Sequence, residues 1–340
     1  MPVVRSAPRA LAACVAATVL ATVLATAGCD GSSDSGGSPS ASASPASPSV
    51  DPVGEVQFGS FATPDGRERT YRLYIAATVR PNLPAPLLVA MHGGGGSGEQ
   101  FERTSGFDAV ADQRGWLVAY PDGVGGPETA DRLRTWNGGT GYCCGAAERQ
   151  NVDDVEFIRL LVQQIASERP VDPQRTYAAG HSNGGIMAYR LACELSDVIV
   201  AVGLQAGSLG VDPCAPPQPV SLLHLHGTAD RNHPIDGGVG PNGISGVDFN
   251  PAIDGVRTLA AADGCPNSPR TEVDAANSDV TRAIWSPCRE GSVVEFVTVA
   301  GASHAWMGRE PERAALVGEA YLQLDASVVI GDFLAARRRR

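Results

Sequence analysis

The stretch from Arg175 to Arg190, Arg-Thr-Tyr-Ala-Ala-Gly-His-Ser-Asn-Gly-Gly-Ile-Met-Ala-Tyr-Arg, constrains this chain more than any other. It reads as a short apolar strand, a turn pinched by glycine, and an amphipathic helix. The turn carries Gly180-His-Ser-Asn-Gly184, a G-x-S-x-G. A serine held on so sharp a strand-to-helix turn needs neighbours without side chains two positions away on either side. The turn then sets its hydroxyl at a helix N-terminus, where free N–H groups favour a developing oxyanion. In a chain with 40 glycines the five-residue pattern is weak evidence by itself, and a structural serine would satisfy it. Flanked by strand and helix, it points to Ser182 as a nucleophile.

The segments around it supply a sheet. Val56–Phe61 and Thr70–Ile75, joined across Pro64-Asp-Gly66, read as an opening hairpin. Pro86–His92, Trp116–Tyr120, Val198–Leu204 and Val220–His226 are near-continuous apolar runs, as in strands covered on both faces, and Ser292–Val299 reads as the last strand. Helical spacing marks Phe107–Arg114, Val152–Glu168 and a closing helix over about Arg313–Ala336. Asp153 and Asp154 suit the first turn of the second of these as N-terminal charges. Val124–Asn151 reads as irregular. Strands alternating with helices give an α/β class, a mostly parallel central sheet with helices on both faces, in one domain over residues 54–336.

A serine nucleophile needs a base, an orienting carboxylate and an oxyanion hole, and in the α/β-hydrolase arrangement these follow in the order Ser, Asp or Glu, His. Of the six histidines, His304 stands in a loop directly after the last strand, at the carboxyl edge of the sheet. It is the candidate base. Asp230 follows the strand ending at His226 and is the candidate acid, with Asp236 the runner-up; His226 is expected to brace the Asp230 loop. The hole requires the N–H of Asn183 and one N–H from the loop His92-Gly-Gly-Gly-Gly96, with Gly94 named and Gly95 the alternative. No Walker lysine follows that loop and no dinucleotide pattern opens a helix there, which argues against a phosphate cradle. No cofactor is implied.

The formal charge of −11 and the lack of a basic stripe exclude a nucleic-acid binder. Residues 1–28 read as a signal peptide, with Arg5 and Arg9 before an alanine-rich run. Thr26-Ala-Gly-Cys29 resembles a bacterial lipobox, with Cys29 the lipid site; cleavage and full secretion is the alternative. Residues 29–53, almost wholly Gly, Ser, Ala and Pro, cannot bury a core and read as a tether. The chain is thus expected on the outer face of the cell membrane, touching it only through a lipid, as a monomer. The four arginines 337–340 read as a solvated tail. Apart from Cys14 and Cys29, six cysteines remain, an even number that suggests three disulfides in an exported protein. Cys265 and Cys288 are the natural pair, and Cys143 and Cys144 are expected to reach separately to Cys193 and Cys214. The spacings C-x-x-C and H-x-x-x-H do not occur, so a metal site is not expected.

Several motifs together resemble the poly(3-hydroxybutyrate) depolymerase-like esterases, a group that includes feruloyl and acetylxylan esterases and actinobacterial lipoproteins. They are His92-Gly-Gly-Gly-Gly96, Tyr120-Pro-Asp-Gly123, Trp136-Asn137 with Cys143-Cys-Gly145, Val152-Asp-Asp-Val155, Gly180–Gly185 with Arg190–Cys193, and His226-Gly-Thr-Ala-Asp230. The resemblance runs from about Phe61 to Leu334. It implies the same triad and hole, and as substrate an ester of an aromatic or short-chain acid. Two departures bear on specificity. Met307-Gly308 follows Trp306 where the family often has Pro-Gly, and a polymer-binding module is not found, so soluble esters or oligomers are the expected substrates. Trp136 and Trp306 are candidate walls of the substrate pocket, a core role being the alternative for each. Other classes consistent with the sequence are a non-catalytic binding lipoprotein on a retired hydrolase fold and a peptidase.

Overall fold

The structure, a computed structural model, describes residues 54–139 and 141–339. The signal peptide, Cys29 and the tether read from the sequence lie outside the described residues. In chain order the elements are β1 (Glu55–Ala62), β2 (Glu68–Ile75), β3 (Ala85–Met91), α1 (Gly98–Ser105), α2 (Phe107–Arg114), β4 (Leu117–Pro121), α3 (Gly145–Arg149), α4 (Asp154–Glu168), β5 (Val171–His181), α5 (Asn183–Glu194), β6 (Ala201–Gln205) and β7 (Ser221–Gly227). Then come β8 (Gly238–Val239), β9 (Asp248–Phe249), α6 (Ala252–Ala262), β10 (Arg270–Val273), β11 (Val280–Trp285), β12 (Val294–Val299), α7 (Ala314–Val317) and α8 (Ala326–Ala335).

Ten strands form one sheet in the order β1-β2-β4-β3-β5-β6-β7-β12-β11-β10. The six central strands from β4 to β12 run parallel, and antiparallel strands close each edge. Every residue of β3, β4, β6 and β7 is buried. That follows from cover on both faces, which lets these strands be apolar throughout instead of alternating. Leu87, Val89 and Met91 of β3 pack on one side with Phe157, Ile158 and Leu161 of α4 and Met187 and Leu191 of α5. Leu88 and Ala90 face the other side with Phe107 and Val110 of α2 and Ile330 and Leu334 of α8. The fold is that of an α/β-hydrolase, as the alternation of strands and helices indicates.

The described part departs from the sequence reading in several places. The helix expected over Arg313–Ala336 is two helices. Gly318, at φ 92°, ends α7, and Asp325 caps α8 by accepting the N–H groups of Ser327 and Val328. Between residues 236 and 292 the chain adds β8 to β11 and α6, and the irregular segment holds the short α3.

The disulfides are Cys265–Cys288, as expected, Cys193–Cys214, and Cys143–Cys144 bonded to each other. The expectation that Cys143 and Cys144 reach Cys193 and Cys214 is therefore corrected. Cys143 Sγ lies 3.7 Å from the Asn183 side chain in the first turn of α5. Cys193 lies ten residues on, about 15 Å further along the helix at 1.5 Å per residue, beyond the span of a disulfide.

Within the arginine tail, Arg337 and Arg339 are docked, not solvated. The Arg339 guanidinium donates to the carbonyls of Asp197 (2.6 Å), Ile199 (3.1 Å) and Ser196, and the Arg337 carbonyl accepts from Tyr177 Oη at 2.6 Å. Carbonyls just past the C-terminus of α5 lack helical partners, and a guanidinium is well shaped to take several at once.

Candidate active site

The parallel strands deliver four segments to one edge of the sheet: residues 92–97 after β3, Ser182 after β5, Asp230 after β7 and His304 after β12. Ser182 sits at φ 54°, ψ −119°, a conformation that costs a non-glycine residue roughly 1–3 kcal/mol and is held by its surroundings. Its N–H donates to the Gln205 carbonyl (2.9 Å) and its carbonyl accepts from Ile186 N–H. A Cβ at Gly180 would fall 2.1 Å from the Gly184 carbonyl oxygen, and one at Gly184 would fall 2.3 Å from that of Met91. The glycines of the motif are thus required by backbone packed on backbone.

His304, buried in its loop, donates from Nδ1 to Asp230 Oδ2 at 2.7 Å. The other carboxylate oxygen accepts the N–H groups of Asn232 (2.9 Å) and His233 (2.8 Å). Burial acts to raise the Asp230 pKa. The charge and hydrogen bond of His304, with His226 and the His233 N–H, outweigh it and hold the carboxyl down at about 2. Asp236, the runner-up, is exposed and makes no such contact. Ser182 and His304 line one cleft of about 880 Å³ together with Gly93–Ser97, His181 and Trp306.

In the glycine loop, Gly95 N–H donates to the Arg134 carbonyl (2.7 Å) and Gly96 N–H to that of Gly93 (3.0 Å). Gly95 is therefore spent as a donor. The Gly94 N–H, and the Asn183 N–H in the first turn of α5, have no acceptor among the described residues. A Cβ at Gly94 would lie 3.7 Å from Asn183 Cβ, so the two donors' residues adjoin.

Of the two tryptophans, only Trp306 lines the cleft. It packs edge-on against Phe101 and Phe107 and donates its indole N–H to Ser327 Oγ at 3.1 Å. Trp136 is corrected to a core residue. It is fully buried, donates from Nε1 to the His92 carbonyl (2.9 Å), and its own backbone is gripped by the Asn183 amide at 2.7 and 3.0 Å. Asp154, read as a helix-terminal charge, does more. It is buried, pairs with Arg69 at 2.7 Å and accepts the Asn137 N–H at 2.8 Å, while Asp153 alone caps α4.

Four bracing residues have no role assigned in the sequence reading. His92 donates from Nδ1 to the Gly93 carbonyl (2.7 Å) and accepts the Gly123 N–H at Nε2 (3.0 Å); burial pushes its pKa down to about 4, keeping it neutral. His181 donates from Nε2 to the His304 carbonyl at 2.8 Å and lies tilted against that ring, centroids 4.9 Å apart. Burial, then the nearby His304, push it down to about 3. Gln205 donates to the Ala305 carbonyl (2.9 Å) and accepts the Met307 N–H (3.0 Å), clamping the His304 loop. Its one sequence signal is a polar residue closing an apolar strand. His224, held by Tyr189 Oη (2.8 Å), bonds His226 (3.0 Å), whose Nε2–H reaches the His233 carbonyl (2.8 Å). His226 thus braces the Asp230 loop as read from the sequence, now as part of a chain.

The family model described as Esterase PHB depolymerase matches residues 69–236. A protein of Nocardia uniformis subsp. tsuyamanensis named "Putative esterase NocK" is 33% identical over 291 residues, covering 79% of this chain and 80% of that one. Feruloyl esterase B of Piromyces equi is 33% identical over 228 residues, covering 65% of this chain and 40% of that protein, so the match spans less than half of its length. Among solved structures, the acetyl xylan esterase from Aspergillus awamori superposes with a TM-score of 0.53 at 14% identity, over 73% of this chain and 94% of that one, a likeness of fold. This chain belongs to the PHB-depolymerase family of esterases, serine hydrolases that act on carboxylic ester bonds.

Proposed function

We propose that this protein is an extracytoplasmic serine esterase working through an acyl-enzyme on Ser182. His304 takes the Ser182 proton as Oγ attacks the ester carbonyl, and the N–H groups of Gly94 and Asn183 receive the oxyanion. Collapse of the tetrahedral adduct expels the alcohol with that proton, and water repeats the cycle to free the acid. Asp230 keeps His304 in the tautomer whose Nε2 is unprotonated and stabilises the imidazolium. The observation that carries this reading is the 2.7 Å His304–Asp230 hydrogen bond in the cleft that also holds Ser182 on its strained turn. Feruloyl, acetyl or short hydroxyalkanoate esters are the substrates proposed, in line with the names of the relatives. Three disulfides support a site outside the cytoplasm.

The test is an ester panel (p-nitrophenyl acetate and butyrate, methyl ferulate, acetylated xylan, a hydroxybutyrate oligomer) with Ser182→Ala in parallel. Turnover that Ser182→Ala reduces by about 10⁴-fold or more is the expected result. A variant as active as the parent removes Ser182 from the mechanism.

A further inference from the structure

The charge of the cleft is opposite to that of the chain. The whole sequence has 37 acidic residues against 26 basic ones, yet five arginines and three glutamates line the cleft. Most of these are neutralised within the protein. Arg103 pairs with Glu312, Arg134 with Asp122 and Asp131, Arg309 with Asp325, and Glu128 with Arg149. Three charges are left without a partner among the described residues: Arg132, Arg313 and Glu310.

The two free guanidiniums belong to different parts of the site. Arg132 precedes Leu133, which lies over the glycine loop, its Cδ2 3.7 Å from where a Gly95 Cβ would be. Arg313 begins the turn into α7, and its carbonyl accepts the Leu316 N–H at 2.8 Å. The Leu316 carbonyl accepts from Asn232 Nδ2 at 3.0 Å, and Asn232 N–H in turn holds Asp230. The two arginines therefore line the cleft from different segments, one beside the glycine loop and the other tied to the Asp230 loop. Each adjoins exposed or half-buried apolar residues that line the same space, Leu133 for one and Leu316 with Val317 for the other.

We propose that the unpaired Arg132 and Arg313, each from its own side of the cleft, give it a positive lining that holds a carboxylate carried by the substrate away from the scissile ester, with the neighbouring leucines taking the apolar part between. This deepens the esterase reading above and rests on it. Two substrate sources share that chemistry: the free acid end of a hydroxy-acid oligoester, and a uronate on an esterified polysaccharide. An arginine fork suits either carboxylate, and an exposed pair of this kind is worth up to about fivefold in affinity.

The decisive measurement is binding to Ser182→Ala by calorimetry, which separates this proposal from turnover. The probes are a linear 3-hydroxybutyrate trimer as free acid and as methyl ester, and acetylated glucuronoxylan with its uronates intact or reduced to alcohols. At about 20 mM salt the carboxylate form of at least one pair is expected to bind about three- to fivefold more tightly. The preference should shrink toward parity at about 0.5 M salt, and in Arg132→Gln/Arg313→Gln. Arg257→Gln, an exposed arginine on α6 outside the cleft, should keep it. Preference for the trimer acid assigns the oligoester, and preference for the intact xylan assigns the polysaccharide. Equal binding within both pairs, or a preference that survives the double replacement, overturns the subsite. If the parent enzyme hydrolyses no ester of the panel, the esterase reading fails by itself, and the binding comparison still decides whether the cleft selects carboxylates.

Discussion

Asp230 accepts two backbone N–H groups on one oxygen and His304 on the other, so both oxygens are engaged. Replacing it by asparagine keeps an oxygen for the backbone donors but turns an amide N–H toward His304 Nδ1. The imidazole would then be forced into the tautomer that cannot accept the Ser182 proton. Asp230→Asn is expected to lower kcat on p-nitrophenyl acetate by about 10⁴-fold with the melting temperature little changed. A loss below tenfold would detach Asp230 from the role proposed for it. The same logic explains Gln205 and His181: both hold the carbonyl side of the base loop, and neither has a reacting atom within reach in the proposed mechanism.

At the scale of elements, the site loops are secured from behind by buried polar pairs. Arg69 on β2 reaches Asp154 on α4, lies over the Phe157 ring at 3.7 Å, and also donates to the Asp122 carbonyl. Asp154 in turn carries Asn137, the neighbour of Trp136. Burial raises the Asp154 pKa against the charge of Arg69, so the ion pair depends on its exact partner set. Asp154→Asn would leave a guanidinium buried without a counter-charge and should cost about 3–5 kcal/mol, read as a lower urea midpoint. A midpoint within error of the parent would show that water reaches Arg69 and relieves it. The hairpin that opens the domain is thereby tied to the residue behind the glycine loop.

For the molecule as a whole, buried titratable groups pull stability in two directions. His92 and His181 are held neutral with lowered pKa values, so stability they support is lost as pH falls below about 6.5. Asp108 acts oppositely. Burial raises it to about 7, with Glu102 and Asp112 adding to the rise while Tyr120 Oη–H, bonded at 2.7 Å, and Arg72 oppose it. The folded chain then holds a proton that the unfolded chain releases between about pH 4 and pH 7. Stability falls as pH rises through that window, and above it the carboxylate is a standing cost. Asp108→Asn is therefore expected to raise Tm by about 2–4 °C at pH 8 and by nothing at pH 4, followed by calorimetry at both. An equal shift at both pH values would mean that packing, and not ionisation, is what the change alters.

The sequence alone carried what is decided by short-range sterics and periodicity. Gly180 and Gly184 flank Ser182 because backbone lies where their side chains would be, and that demand is written within five residues. The apolar runs of β3, β4, β6 and β7 announce strands covered twice, and the order Ser182, Asp230, His304 follows from strands that all present their carboxyl ends at one edge. Where the chain meets itself across a long span, local pattern is silent. Whether Trp136 faces substrate or core depends on His92 and Asn183, each more than 40 residues away. The pairing of Cys193 with Cys214 depends on which end of α5 each loop reaches, and the docking of Arg339 depends on carbonyls about 140 residues earlier. The bracing by His181 and Gln205 exists only once the β12 loop folds over β5 and β6. Those contacts are set by packing free energy summed over distant segments, which only the folded chain brings together.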